Sequence, residues 1–157
     1  METTMTVTNN MEDSINEMEN MYLCFTVGNE DYGVEIQHVL QIIGMQEITE
    51  MPEMPSEVKG FINLRGSIIP VVSMRVRLGK VEDEHTERTC IVVVNVCDKQ
   101  IGLIVDSIQE AITISPDSIS PPPRTDKRDG SSYLKGIAQL ASDRVVILIY
   151  AQELFDI

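Results

Sequence analysis

Enzymatic chemistry needs groups that converge to move protons, attack a carbonyl or hold a metal. The candidates in this sequence are few: two histidines, three cysteines and some strand-end carboxylates. His38 closes the stretch EIQH between apolar residues and His85 lies in a charged run, neither at a nucleophile spacing from a cysteine or carboxylate. His85, Cys90 and Cys97 have the atoms for a metal site, but without a C-x-x-C or H-x-x-x-H pair the cysteines read as buried thiols. Asp106, ending the run IGLIVD, and Asp143, in a turn, could form an acid–base pair only if the fold joined them; isolated aspartates of this kind form caps and turns. No P-loop, G-x-G-x-x-G or G-x-S-x-G occurs. We therefore assign no catalytic residue, no metal and no cofactor.

What remains is a recognition group. GFINLRGSIIPVVSMRVRLG, residues 60–79, sets Arg65 and Gly66 between two apolar runs. Phe61 to Leu64 and Ile68 to Val72 are rich in Ile and Val and read as strands, joined by a turn in which Gly66 supplies a positive φ. A cation at a turn is by default only a solvated polar residue. Pro70 cannot donate to a ladder and puts its strand at an edge or bulge, and an open edge beside an arginine suits docking.

The elements that position Arg65 are written twice. FTVGNEDYGVEIQHVLQII from Phe25 lies over VNVCDKQIGLIVDSIQEAI from Val94 at an offset of 69, with Gly33 on Gly102, Val27 on Val96, Ile36 on Val105 and Val39 on Ile108. VKGFINL from Val58 lies over LKGIAQL from Leu134 at an offset of 76. Matching turns and apolar phases in the same order predict two related units of about five short strands, each with a small barrel-like core. Opposite Asn63, Leu64, Arg65, Gly66 and Ser67 stand Gln139, Leu140, Ala141, Ser142 and Asp143, so the arginine is not part of the shared framework. A loop residue that the framework can do without is a candidate for contact.

Composition narrows the partners. Hydrophobic residues make up 43% but aromatics only 4%, so the core is aliphatic. With 25 acidic against 12 basic residues, a formal charge of −13 argues against nucleic acid or an anionic membrane surface. The odd cysteine count fits a reducing compartment, and the lack of a signal or membrane-spanning run points to the cytosol. Residues 1–20 read as a mobile acidic tail, with Met11, Ile15 and Met18 at helical spacing; residues 21–157 form the folded part, divided near 21–88 and 89–157 into two interlocked subdomains. KVEDEHTER (80–88) and SPPPRTDKRDGSS (120–132) read as solvent-facing connections, the second stiffened by three prolines. CIVVVNV and VVILIY are apolar on both faces, so they are either sandwiched inside the protein or covered by a partner.

YGVEIQHVLQII, SEVKGFINLRGSIIPVVSMRVRLG, IGLIVDSIQEAI, YLKGIAQL and VVILIYAQELF together resemble, in order and spacing, the CheW family of bacterial chemotaxis coupling proteins. The resemblance covers roughly residues 21–156, and KGFINLRGSIIPV is similar to the family signature. It implies a mainly β fold of two intertwined five-stranded SH3-like barrels with short helices. It also implies a non-enzymatic scaffold joining the cytoplasmic tips of chemoreceptors to the histidine kinase CheA, in arrays beneath the inner membrane. Related domains occur in CheA and in CheV; 157 residues leave no room for a kinase core or a receiver, which favours the stand-alone adaptor over a CheV-like fragment. A β-barrel domain with a small-molecule pocket between its halves is the alternative from another class.

Carried over by position, the resemblance points to Val39, Gln41, Ile43, Gly60, Asn63, Arg65 and Gly66 for the receptor, and to Ile36, Leu103, Val105 and Ile108 for the kinase. Two positions depart from the family pattern. Gln41 stands where members usually carry a Glu facing the signature arginine, and Ser73 stands where an Asp is usual. A glutamine cannot form an ion pair, so a charge-assisted contact of about 1.5–3 kcal/mol drops to about 0.5–1.5 kcal/mol. Arg65 is then left to Glu35 or Glu47, or to a receptor carboxylate.

Overall fold

The computed structural model describes residues 20–122 and 133–154. Residues 1–19, with the Met11, Ile15 and Met18 spacing, and most of the proline-rich loop lie outside the described residues. The first unit supplies β1 (Met21–Val27), β2 (Glu30–Glu35), β3 (Val39–Gly44), β4 (Val58–Leu64) and β5 (Ser67–Ser73), followed by a one-turn helix, α1 (Met74–Arg77). The second supplies β6 (Cys90–Val96), β7 (Lys99–Val105), β8 (Ser107–Thr113), β9 (Ile119–Ser120), β10 (Leu134–Gln139) and β11 (Val145–Ile149), then α2 (Ala151–Leu154).

The strands form two curled sheets, one ordered β8-β1-β2-β11-β10-β9 and the other β3-β6-β7-β5-β4. These are the same topology built from crossed halves: the first two strands of each unit pair with the later strands of the other, β1 and β2 with β8 and β11, and β6 and β7 with β3 and β5. The chain crosses between the sheets through short links, Ile36–His38 between β2 and β3 and Asp106 between β7 and β8. A cut at residue 88 would therefore divide both sheets; that boundary marks where the strand order begins again, not where one sheet ends.

The registers carry the duplication further than the sequence match did. Val27 pairs with Glu30 and Cys24 with Gly33; 69 residues later Val96 pairs with Lys99 and Val93 with Gly102. Phe25–Ile108 and Val94–Val39 are the same pair seen from the two units, and a bulge follows each. Gly60–Val71 corresponds to Gly136–Leu148, so the offset is 76 on the first hairpin strand and 77 on the second. The second turn therefore holds one more residue, and Ser67 corresponds to Arg144 rather than to Asp143. Among the described residues neither sheet closes by a continuous ladder. In each, the chain leaving an edge strand returns to the opposite edge, through Thr49 with Phe61 and Ser120 with Ile137.

Three aliphatic cores account for strands apolar on both faces. Tyr22, Cys24, Ala138, Val146 and Leu148 fill the curl of the first sheet, and Ile62, Ile69, Val71, Ile91, Val93 and Ile104 that of the second. Between the sheets lies a central core that includes Leu23, Phe25, Val27, Val92, Val94, Val96, Leu103 and Val105. CIVVVNV is thus covered on both faces by the protein itself. The strand of Pro70 is interior rather than an edge, flanked by β4 and β7. The proline is tolerated because the parallel ladder to β7 starts one residue later, at Val71.

Candidate functional site

Arg65 and Gly66 form the two-residue turn between β4 and β5, at φ 51° and 86°. Positive φ at both positions makes this a type I′ turn, which fits the strand twist but favours Asn, Asp or Gly. A left-handed arginine costs about 1–2 kcal/mol. The turn is braced by Asn63, whose Oδ1 accepts the Gly66 amide at 3.1 Å. Arg65 is exposed, and among the described residues it has no hydrogen-bond or ion-pair partner. Glu35, one proposed partner, is taken by Lys135 at 2.7 Å and by Gln37. Burial opposes the Glu35 charge, but the Lys135 and Gln37 hydrogen bonds outweigh it and hold the carboxyl below its ordinary range.

Beside the turn runs the chain leaving β3, tied to β4 by the reciprocal 2.9 Å bonds of Thr49 and Phe61. Gly60 makes that approach, since a Cβ there would lie 2.1 Å from the Thr49 carbonyl oxygen. Gly60 is therefore a buried structural glycine and cannot be a contact residue. On β3, Val39 packs on the central core and Ile43 on the second-sheet core, with Gln41 half-buried. The residues β3 turns outward are Leu40 and Ile42, 48% and 45% exposed. The resemblance pointed to their neighbours Val39, Gln41 and Ile43, which the alternation along β3 leaves half-buried. A signal was available: at the 69-residue offset their counterparts are Gln109 and Ala111, so these apolar residues, like Arg65, are absent from the shared framework.

The residues expected at the kinase surface fare differently. Leu103 and Val105 are 0% exposed, sealed in the central core, and no partner can reach them. β7 is interior and its apolar face meets the other sheet. Ile36 is half-buried, and Ile108 packs partly on the central core while lining a surface concavity with Arg88, Cys90 and Gln109. Exposed apolar side chains occur instead at a duplicated position near the start of β5 and of β11: Ile68, 67% exposed, and Val145, 46%.

At the matching rim of the first sheet the polar groups pair with one another, apart from Arg144 Nη2, which is buried without a partner. Gln109 donates to Thr26 Oγ1 at 2.7 Å, and Thr26 to Asp31 at 2.9 Å. Arg144 joins Asp31 at 3.2 Å to Glu110 at 2.7 Å, and Glu110 above all keeps its pKa above that of an ordinary arginine.

The groups considered for catalysis take structural places. Asp106 accepts Arg75 and the Gly28 amide, while Asp143 sits in the β10–β11 turn at φ 61°. Cys90 and Cys97 bracket one strand, about 20 Å apart. Burial pushes the Cys24 thiol up to about 11, whereas Cys97, expected inside, is exposed at the β6–β7 turn. The charged 80–88 connection is pinned by Lys80–Glu30, Lys59–Glu82 and Arg75 donating to the Val81 carbonyl at 2.9 Å. Ser73 keeps a helix-capping role, accepting from the Val76 amide at 3.4 Å. The space between the sheets is filled by the central core. The concavity lined by Arg75, His85 and Asp106 holds about 90 Å³, and two open surface concavities, beside Arg144 and beside Ile108, hold about 370 and 400 Å³. Among the described residues no helix is long and apolar enough to cross a membrane.

Comparison with known proteins agrees with this architecture. Residues 21–157 match the family model of the CheW-like domain. The chain is 32% identical over 133 residues to the chemotaxis protein CheW of Klebsiella aerogenes, covering 85% of this chain and 80% of that protein. It is 33% identical over 143 residues to a probable chemotaxis protein CheW of Rhizobium etli, covering 90% and 91%. The crystal structure of the scaffolding protein TtCheW from Thermoanaerobacter tengcongensis superposes with a TM-score of 0.79 at 33% identity, covering 88% of this chain and 93% of that one. With the crossed double sheet and the matched signature turn, the chain belongs to the CheW family.

Proposed function

We propose that the chain is a non-enzymatic adaptor that joins the cytoplasmic tips of chemoreceptors to the histidine kinase CheA, through the kinase's own CheW-like domain, in cytoplasmic arrays beneath the inner membrane. The observation that carries this reading is an asymmetry between duplicated surfaces. The second sheet presents Leu40, Ile42 and an Arg65 without a partner among the described residues, where the first presents Gln109, Ala111 and an Arg144 paired with Asp31 and Glu110. A receptor helix laid along β3 buries the exposed halves of Leu40 and Ile42, about 1 kcal/mol each, and Arg65 fixes its register. Asn63 and Gly66 shape the turn and Gly60 admits the Thr49 chain beside it, while Val39 and Ile43 pack on the cores and Gln41 lies half-buried between them.

The kinase is assigned to the apolar barrel ends. Ile68 and Val145 take the part that Leu103 and Val105 cannot, with Ile36 and Ile108 at the margins. Two similar ends suit partners built on the same double-barrel plan. The test is co-purification of the full chain with CheA and a receptor-tip fragment from the same organism. The wild type is expected to carry both. Leu40→Asn/Ile42→Asn and Arg65→Glu lose the receptor but keep CheA, and Ile68→Asp/Val145→Asp does the reverse. A ternary complex that survives all three variants unaltered would reject these surfaces.

A further inference from the structure

Met21, the first residue of β1, stands at a corner of the fold that the duplication locates. At the 69-residue offset its counterpart is Cys90, which shares a surface concavity with Ser107, Ile108 and Gln109. The equivalents of those three are His38, Val39 and Leu40. The pairing of Tyr22 with Glu35 agrees, since Glu35 leads through the short link into β3. The chain that precedes β1 therefore leaves the fold beside the start of β3, from a point fixed by the Ile114 amide donating to the Asn20 carbonyl at 2.8 Å. Running outward from that corner, β3 turns Leu40 and Ile42 to the surface, 48% and 45% exposed. Two residues apart on a strand, they form an apolar strip about 7 Å long. From Val39 to Gly44 the strand carries no charged residue, whereas the equivalent strand β8 carries Glu110.

The segment that leaves there has the pattern to cover such a strip. Met11, Ile15 and Met18 fall on one face of a helix, with Glu12, Asp13 and Glu17 around the rest. A helix this short is not stable alone in water, so it needs an apolar surface on which to form. Only Glu19 and Asn20 lie between Met18 and Met21, which brings the near end of the stripe within reach of Leu40. Residues 11–18 span about 12 Å as a helix, enough to pass Ile42. Methionine side chains adapt to an irregular surface, and an acidic segment meets no like charge along β3 where it would meet Glu110 along β8. We infer that residues 11–18 dock as an amphipathic helix on Leu40 and Ile42 of the same chain, an intramolecular cover over the strand face that the adaptor reading gives to the receptor helix. Only the consequence, competition with the receptor, rests on that reading.

Amide NMR spectra of the full chain give the first reading. Met11→Asn/Ile15→Asn/Met18→Asn, which removes the stripe without changing charge, is compared with Asp13→Ala/Asn16→Ala on the opposite helix face. The first is expected to shift the amides from Leu40 to Ile43 and to bring the signals of residues 11–18 to those of a peptide of the same sequence. The second leaves both as in wild type. Leu40→Asn/Ile42→Asn releases residues 11–18 in the same way as the stripe variant. The second reading is the affinity of a labelled receptor-tip fragment from the same organism, which the stripe variant raises by about threefold to tenfold because the competitor is gone. Unchanged β3 amides in the stripe variant would overturn the inference, whatever the receptor fragment does. Amides on β3 that move with protein concentration and not with the tail substitutions would give the face to a second copy and overturn it as well. Receptor-tip binding absent from every protein, with the tail-dependent shifts present, would reject the adaptor reading and leave the docking in place.

Discussion

Asp106 accepts Arg75 through two bonds, Nε at 2.9 Å and Nη2 at 2.6 Å, while its second oxygen also takes the Gly28 amide at 2.8 Å. One carboxylate thereby joins three separate pieces of chain: the β1–β2 turn, α1 and the link by which β8 leaves for the other sheet. The crossing from one sheet to the other needs such a fastening, because a one-residue link cannot turn the chain by itself.

Asp106→Ala should lower unfolding stability by about 1.5–3 kcal/mol, toward the lower figure because both side chains are partly exposed. Asp106→Asn should recover part of that, since its carbonyl still accepts the Gly28 amide but cannot pair with the guanidinium. Urea unfolding of the three proteins gives the comparison. An alanine variant within 0.5 kcal/mol of wild type, an interval below about one ordinary hydrogen bond, would remove Asp106 from this role.

Lys135 lies over the rings of Tyr22 and Tyr150, at 4.9 and 5.6 Å, and pairs with Glu35 at 2.7 Å. Burial works against its ammonium, but Glu35 holds its pKa above the ordinary lysine value, while the Glu35 pKa is held down. The Glu35 contribution is therefore complete above the unfolded carboxylate value, about 4.3, and is lost as pH falls through the lower folded value. The Lys135 contribution is complete below about 10.4 and is lost only above that. Glu35→Gln should cost about 1–2 kcal/mol at neutral pH. The gap from wild type should narrow below about pH 4.3. Parallel acid-unfolding curves for the two proteins would show that the pair does not stabilise the fold.

Gly60 and Gly44 make a matched pair of alanine tests. At Gly60, with φ 144°, a Cβ meets the Thr49 carbonyl oxygen at 2.1 Å; at Gly44 nothing lies within 4 Å. Gly60→Ala must push apart the contact that brings the ends of the second sheet together, at about 2–3 kcal/mol, or a fall of about 4–12 °C in Tm. Gly44→Ala should lie within about 0.5 kcal/mol of wild type. Equal melting temperatures for the two variants would mean that the Thr49–Phe61 closure is dispensable.

Much of this was legible in residue order. Turn residues and apolar phases revealed the duplication, and the absence of a counterpart to Arg65 in the second unit singled out the cation. On β3 the positions carried over from the resemblance, Val39, Gln41 and Ile43, are the half-buried ones, and Leu40 and Ile42 between them are exposed. The central core lies between units that each look complete, so Leu103 and Val105 read as a free apolar barrel end although the other sheet covers them. The crossing of each unit to the other sheet after its second strand depends on pairing partners across the duplication, which a single strand pattern does not encode.

Arg65 itself offers the sharpest separation of stability from function. Its φ of 51° is a conformation that asparagine adopts at far smaller cost, and no described group pairs with its guanidinium. Arg65→Asn should therefore raise stability by about 1 kcal/mol, or about 2–4 °C in Tm for a chain of this size. The same change should weaken receptor-tip binding by about tenfold. Asparagine is preferable to glycine here, because glycine would relieve the strain while also widening the unfolded ensemble. Calorimetry and a binding titration on one preparation are sufficient. A lower Tm would mean that the side chain supports its own hairpin, and the cation would then have a structural reason to occupy a strained position. A higher Tm with weaker binding would show that the strain is retained for the contact, because nothing inside the molecule benefits from it.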